Sequence, residues 1–176
     1  VELIGSYNGS IGKNNMLLYN LFSIFWVCYY LFIISLIIHK PQVKKIIWIT
    51  IVLYFLATMI NIVFIQKLHT SSFNTVTHSL GFSIIVVFCI YYFLELFRFP
   101  KAINLKNNPA FWICTGLLFF CACGFPLYGF INVWATVPFI VKNFGAIITI
   151  LNIFLYSLFT IAFLCVITPK YTLSSS

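Results

Sequence analysis

Five long apolar runs dominate the sequence, at 16–38, 46–66, 77–97, 109–130 and 143–167. Each is long enough to cross a bilayer, because about 20 residues rising 1.5 Å each span about 30 Å of hydrocarbon. Lipid offers no hydrogen bonds to an open backbone, so segments of this length cross it as helices. The sequence lacks the strands of about ten alternating residues that build a membrane β-barrel. We therefore predict an all-α fold, a polytopic transmembrane helix bundle with five spanning helices.

Charged residues are too few for a soluble domain. They make up 7% of the chain, with 10 Lys and Arg and 2 acidic residues, whereas soluble domains hold about 25%. The cations lie in short gaps between apolar runs and not on one polar face, so we expect no nucleic acid partner. Two acids leave little material for acid–base catalysis, and no phosphate loop, dinucleotide fingerprint or nucleophile elbow occurs. We expect no enzyme activity and no cofactor.

The distribution of cations predicts the orientation in a cell inner (plasma) membrane. Seven cations fall in the gaps 39–45 and 98–108 and in the tail 168–176, whereas the opposite side holds only Lys13, Lys67 and Lys142. Cytoplasmic loops carry the excess of Lys and Arg, so the C-terminus is predicted to be cytoplasmic and segment 1–15 to lie outside. Segment 1–15 does not read as a signal peptide. One or two further helices are therefore predicted before Val1, giving six or seven in the full-length protein.

Several polar residues fall in the outer half of the helices under this topology. They form a candidate ligand pocket open to the outside, because small-molecule sites combine apolar walls with a few polar groups. These residues are Tyr19, Asn20, Asn61, His78, Thr149 and Asn152. A second interpretation stays open, since polar and small residues at helical spacing usually mark faces where helices pack. Two such stripes occur, namely Thr50, Tyr54, Thr58 and Asn61, and Gly145, Thr149, Asn152, Tyr156 and Thr160.

Three further residues are candidates for specific roles. Glu95 is the only acid within the spans, and an ionisable group in a membrane is a functional candidate by default. Because Arg98 follows at i+3 near the cytoplasmic end, we favour an interfacial ion pair between them. Pro126 lies within the fourth run and is a candidate hinge, since proline removes a backbone hydrogen bond. The histidines and cysteines do not converge at metal-ligand spacing, so no metal site is predicted.

Four short segments carry a resemblance to other proteins, namely MLLYN at 16–20, SFNT at 72–75 leading to LG at 80–81, NPAFWI at 108–113 and GLLF at 116–119. With these segments the chain resembles a family of small, uncharacterised bacterial multi-pass membrane proteins. That family is similar to the membrane-embedded sensor parts of some histidine kinases. The resemblance implies signal transduction and carries over no catalytic residue, and this chain has no cytosolic kinase part.

These observations lead us to expect a non-enzymatic sensor or accessory module that signals to a cytoplasmic or membrane protein partner. Occupancy of the outer pocket would shift helix packing about Pro126. One alternative is a small transporter or channel subunit, which is disfavoured because the inner halves of the helices show few polar groups. The other is a structural subunit of a membrane complex. In each case the lipid bilayer is the surrounding partner.

Overall fold

The computed structural model describes residues 16–62, 75–98, 105–130 and 138–167. The described residues form five long helices: α1 (Met16–Ile37), α2 (Pro41–Ile60), α3 (Thr75–Arg98), α4 (Pro109–Gly129) and α5 (Pro138–Ile167). A short 3₁₀ helix, Leu105–Asn107, precedes α4. Within these ranges there is no strand. The predicted all-α class is confirmed, and all five helices are long and apolar enough to cross a membrane.

Two helices begin well before the starts that the sequence suggests. The expected starts were 46 and 143, but α2 begins at Pro41 and α5 at Pro138. Proline suits the first turn of a helix, because its fixed φ is already helical and its missing N–H has no partner to lose there. Lys44 and Lys45, which the sequence placed in the gap before the second run, therefore lie within α2, and Lys40 is its N-cap. The predicted terminal segments 1–15 and 168–176 lie outside the described residues.

Helix α4 packs against α3 and α5, and α1 packs against α2 and α3. Ring contacts also bring α1 to the other side of the bundle, since Trp26 lies 5.6 Å from Phe120 of α4 and Tyr30 lies 5.8 Å from Phe159 of α5, between ring centroids. The spans of α2 and α5 are the least buried of the five. Many of their large apolar side chains are exposed, as expected for surfaces that face lipid. The chain is a multi-pass membrane protein.

The bundle has two ends, which we name after the buried ionisable residue at each. The Glu95 end is where α1 and α3 finish and α2 and α4 begin. The end of α5 also lies there, because the Cys165 thiol donates a hydrogen bond of 3.2 Å to the carbonyl of Lys106. The His78 end is the opposite one, where α3 starts and α2 and α4 finish. Under the predicted topology the His78 end faces outside and the Glu95 end faces the cytoplasm.

Candidate functional site

Polar groups of α2 and α3 meet at the His78 end. The Asn61 side-chain amide donates a hydrogen bond of 2.7 Å to the Thr77 hydroxyl. The Tyr54 hydroxyl, about two turns before Asn61, donates to the backbone carbonyl of the same threonine at 3.2 Å. Tyr54 and Thr77 are buried. These two hydrogen bonds fix the start of α3 against α2, because a polar group buried between helices is costly unless it is paired.

His78 follows directly in α3 and is buried among aromatic rings. Its ring centroid lies 4.3 Å from that of Phe82 and 4.7 Å from that of Tyr128 in α4. Phe82 is almost fully buried and also contacts Trp26 of α1 and Phe120 of α4, at 5.5 and 5.9 Å. These tilted and edge-on arrangements are the favourable geometries of aromatic pairs. The cluster joins α1, α3 and α4 around the ring of Phe82, with the His78 imidazole beside it.

Two glycines allow the helices to come this close. A Cβ on Gly81 of α3 would lie 2.6 Å from Val27 Cγ2 and 2.8 Å from the Tyr54 hydroxyl. A Cβ on Gly124 of α4 would lie 2.5 Å from Cε2 of Phe82. Real Cβ atoms essentially never make contacts this short. Gly81 therefore makes room for the tyrosine that bonds to Thr77, and Gly124 makes room for the central ring of the aromatic cluster.

The structure brings together only part of the predicted outer pocket. Asn61 and His78 both lie at the His78 end, where Asn61 is hydrogen-bonded to Thr77, the residue before His78. Asn20 is buried in α1. Tyr19 and Thr149 are exposed, and the Thr149 hydroxyl donates to the carbonyl of Gly145 in its own helix at 2.8 Å. Asn152, the sixth residue predicted to line the pocket, is half-buried in α5.

Glu95 lies at the other end of α3 and is also buried. One of its carboxylate oxygens, Oε2, accepts a long hydrogen bond of 3.4 Å from the backbone N–H of His39, in the turn between α1 and α2. The other oxygen, Oε1, has no hydrogen-bond partner within the described chain. Arg98 is exposed at the end of α3. The described residues show no ion pair between Glu95 and Arg98, and the contact of the carboxylate is with the α1–α2 turn.

A second contact joins the same stretch of α3 to the segment before α4. The Asn108 side-chain amide donates to the Tyr92 hydroxyl at 3.4 Å, while the Asn108 carbonyl oxygen caps α4 by accepting from the Ala110 N–H at 3.1 Å. Tyr92 lies three residues before Glu95, on the same side of the helix. This turn of α3 therefore contacts both the α1–α2 turn and the segment before α4.

Pro126, the predicted hinge, lies within α4 between the two contacts that this helix makes with the aromatic cluster. It is two residues after Gly124, which faces Phe82, and two before Tyr128, which faces His78. Because proline lacks an N–H, the helix loses the bond to the carbonyl of Ala122 at this point. Any change of angle at Pro126 would move Tyr128 relative to Phe82.

The sequence did not single out Thr77, Phe82 or Tyr128, which turn out to be central to the His78 end. Thr77 carries a weak signal, since it directly precedes His78 at the start of an apolar run. Phe82 and Tyr128 carry none, because the chain has 21 Phe and 10 Tyr. Among the described residues, no group of three or more His, Cys, Asp or Glu side chains is arranged to hold a metal ion.

In comparisons with known proteins, no family model, no curated protein and no solved structure matches the chain.

Proposed function

We propose that the protein is a non-enzymatic membrane sensor or accessory module in which α3 links a receiving site at the His78 end to a partner at the Glu95 end. One observation carries this proposal: the same helix has buried polar groups in contact with neighbouring parts of the bundle at both ends. Thr77 and His78 lie at one end, and Tyr92 and Glu95 at the other. The 17 residues from His78 to Glu95 correspond to about 25 Å along a helix, most of the hydrocarbon thickness.

The His78 end has the chemistry of a receiving site. It combines aromatic walls with an imidazole, an amide and two hydroxyl groups, which are the group types that fix a small ligand in an apolar site. A ligand that competes for the Thr77 hydroxyl would release Asn61, and one that inserts beside His78 would separate the rings of Phe82 and Tyr128. Either change alters how α3 packs on α2 and α4.

The contacts at the Glu95 end could pass a movement of α3 on to a partner. Glu95 and Tyr92 touch the α1–α2 turn and the segment before α4, respectively. A movement of α3 along or about its axis would therefore displace two connections that are predicted to face the cytoplasm. A ligand shifts such an equilibrium only by its difference in affinity for the two arrangements.

The test is to perturb one end and measure the other. In Thr77→Val, the amide of Asn61 loses its acceptor while side-chain volume is kept. Hydrogen–deuterium exchange of the full-length protein in detergent should then rise at least about threefold at residues 38–45 and 105–112, because local opening of packed segments is reported by exchange. Thr149→Val is the matched control, since that hydroxyl bonds only within its own helix. A rise confined to the His78 end would mean that α3 does not couple the two ends.

A partner is the second requirement. Pull-down of the full-length protein in mild detergent, with mass spectrometry of co-purifying chains, should recover a kinase or response regulator at a fixed ratio. Recovery of the protein alone would rule out an accessory module. Thr77→Val should reduce the recovered partner if the His78 end controls the signal, whereas Thr149→Val should not.

One observation favours a second function, that of a structural subunit in a membrane complex. The polar side chains of Thr149, Tyr156 and Thr160 in α5 are exposed, and this stripe lies nearly opposite the buried residues Leu151 and Leu155 on the helix. The Thr149 and Thr160 hydroxyls already donate within α5 at 2.8 Å. The stripe as a whole is what favours this function, because a polar stripe on a helix surface in lipid usually marks a face where helices pack. Replacing Tyr156 and Thr160 by leucine should dissolve a complex held by this face and leave a sensor's partner bound.

A further inference from the structure

Positive charge is concentrated at the Glu95 end. Glu95 is the one acid in the described chain, and its side chain is buried. Five cations lie at the same end of the bundle, namely Lys40, Lys44, Lys45, Arg98 and Lys106, and all but the half-buried Lys44 are exposed. A surface with this excess of one sign attracts ions of the other.

The contacts of α3 hold these cations in one region. The His39 N–H on Glu95 brings Lys40, the next residue, close to the end of α3 that carries Arg98. On the other side, the contact between Asn108 and Tyr92 holds the short helix that contains Lys106. The charges therefore belong to one end of one packed bundle and not to independent loops.

The start of α2 shows which way part of this charge faces. At 100° per residue, Trp48 falls about 40° from Lys44 and about 60° from Lys45 around the helix axis. Trp48 is half-exposed, touches Phe32 of α1 at 5.8 Å, and lies one turn further into the span than the lysines. Ile49, the next residue, is also exposed. The two lysines thus stand above an apolar, tryptophan-bearing surface that faces lipid.

Tryptophan at a bilayer surface lies at the level of the headgroups, which places the lysines one turn above it at the level of the phosphates. The helix start adds to the demand for an anion. Lys40 is its N-cap, no side chain caps it, and its first turn contains no acid. The N-terminus of a helix carries a partial positive charge, so lysines in the first turns of α2 are repelled by it. An anion bound there would offset this repulsion.

We propose that Lys40, Lys44 and Lys45, together with Trp48, form a binding surface for the headgroup of an anionic phospholipid. A lipid fits better than a soluble anionic partner because the surface continues sideways onto exposed apolar residues of α2, where acyl chains lie. This inference is independent of the proposed sensor function, since it concerns the lateral face of α2 and not the polar groups at the ends of α3.

The test uses native mass spectrometry of the full-length protein, supplied with equal amounts of phosphatidylglycerol and phosphatidylcholine of identical acyl chains. We expect phosphatidylglycerol to be retained at least about fivefold over phosphatidylcholine, because each lysine near an anionic surface strengthens binding by about that factor. The double variant Lys44→Gln, Lys45→Gln should lower this preference by up to about 25-fold, and to unity where the starting preference is smaller than that. Lys44→Arg, Lys45→Arg should retain it.

Lys142→Gln is the matched control, because Lys142 is an exposed cation of α5 at the opposite end. It should leave the preference unchanged. Each single glutamine variant is measured as well, so that a poorly folded double variant does not decide the result. Equal retention of the two lipids, or an unchanged preference in the folded lysine variants, would overturn the proposal. Displacement of the lipid by millimolar inorganic phosphate would also overturn it, since a free anion would then be the ligand.

Discussion

The packing of Phe82 on Gly124 offers a stringent test of the aromatic cluster. Replacing Gly124 by alanine places a Cβ 2.5 Å from Cε2, 3.2 Å from Cδ2 and 3.4 Å from Cζ of the Phe82 ring. The ring cannot simply swing away, because it is 1% exposed and has Trp26, His78 and Phe120 around it. One of the helices must move instead.

Two effects of opposite sign determine how Gly124→Ala changes the unfolding free energy. Overpacking a well-filled interior costs about 1–3 kcal/mol, whereas Gly→Ala within a helix stabilises by about 0.4–1 kcal/mol through the unfolded chain. A second helical glycine separates them. A Cβ on Gly145 of α5 would meet nothing within 4 Å, so Gly145→Ala gains the same helix preference without the clash. The difference in unfolding free energy between the two variants is therefore the overpacking cost itself, about 1–3 kcal/mol.

The assay is unfolding of the purified protein by a graded mixture of sodium dodecyl sulfate and mild detergent, followed by tryptophan fluorescence. Gly124→Ala should be less stable than Gly145→Ala by the amount above. Adding Phe82→Leu, which replaces the ring by a smaller and more flexible side chain, should recover part of the stability lost in Gly124→Ala. The coupling energy between the two substitutions should be about 0.5 kcal/mol or more. If Gly124→Ala and Gly145→Ala unfold at the same detergent composition, the close approach of α3 and α4 at Phe82 is wrong.

Two further substitutions test the polar contacts at each end. Asn108→Ala should lower the unfolding free energy by about 0.5–2 kcal/mol because the cap on the Ala110 N–H is lost. Asn108→Ser keeps a capping oxygen and should lose less stability. Equal losses in the two variants would argue against the cap. Thr77→Val should lower the unfolding free energy by about 0.6 kcal/mol and at most about 1.7 kcal/mol, the range measured for hydrogen bonds between helices in membranes. Thr77→Ser keeps the acceptor for Asn61 and should have an unfolding free energy near that of the wild type in the same assay.

The fold class follows from the sequence because one physical constraint dominates it. A backbone in hydrocarbon must satisfy its own hydrogen bonds, so apolar runs of more than about 20 residues are helices whatever their neighbours are. The helix starts were less predictable. The cations of the gap 39–45 suggested a boundary after Lys45, but α2 begins at Pro41, since lysine is a good helix former and its long side chain can reach water from inside the first turns.

The candidate site was only partly predictable, because the sequence gives depth in the membrane but not the direction in which a helix face points. Depth correctly grouped Asn61 with His78 at one end. It also grouped Thr149 with them, although that side chain lies on the exposed side of α5. Thr149, Asn61 and His78 are all polar positions on apolar helices, and which of them face inward depends on how α2, α3, α4 and α5 pack, which no local pattern encodes.

The burial pattern of α3 explains why its two ends matter more than its middle. Between Thr77 and Tyr92, most of its fully buried side chains are hydrocarbon, such as those of Phe82 and Ile85. In lipid, apolar contacts between helices have no hydrophobic drive beyond close packing, because acyl chains are equally apolar. Directional contacts therefore contribute most to the register of α3, and those at its two ends are at Thr77 and at Tyr92 and Glu95. On the proposed function, loosening the contacts at Thr77 lets α3 move at its other end, so the α1–α2 turn and the segment before α4 are both expected to respond.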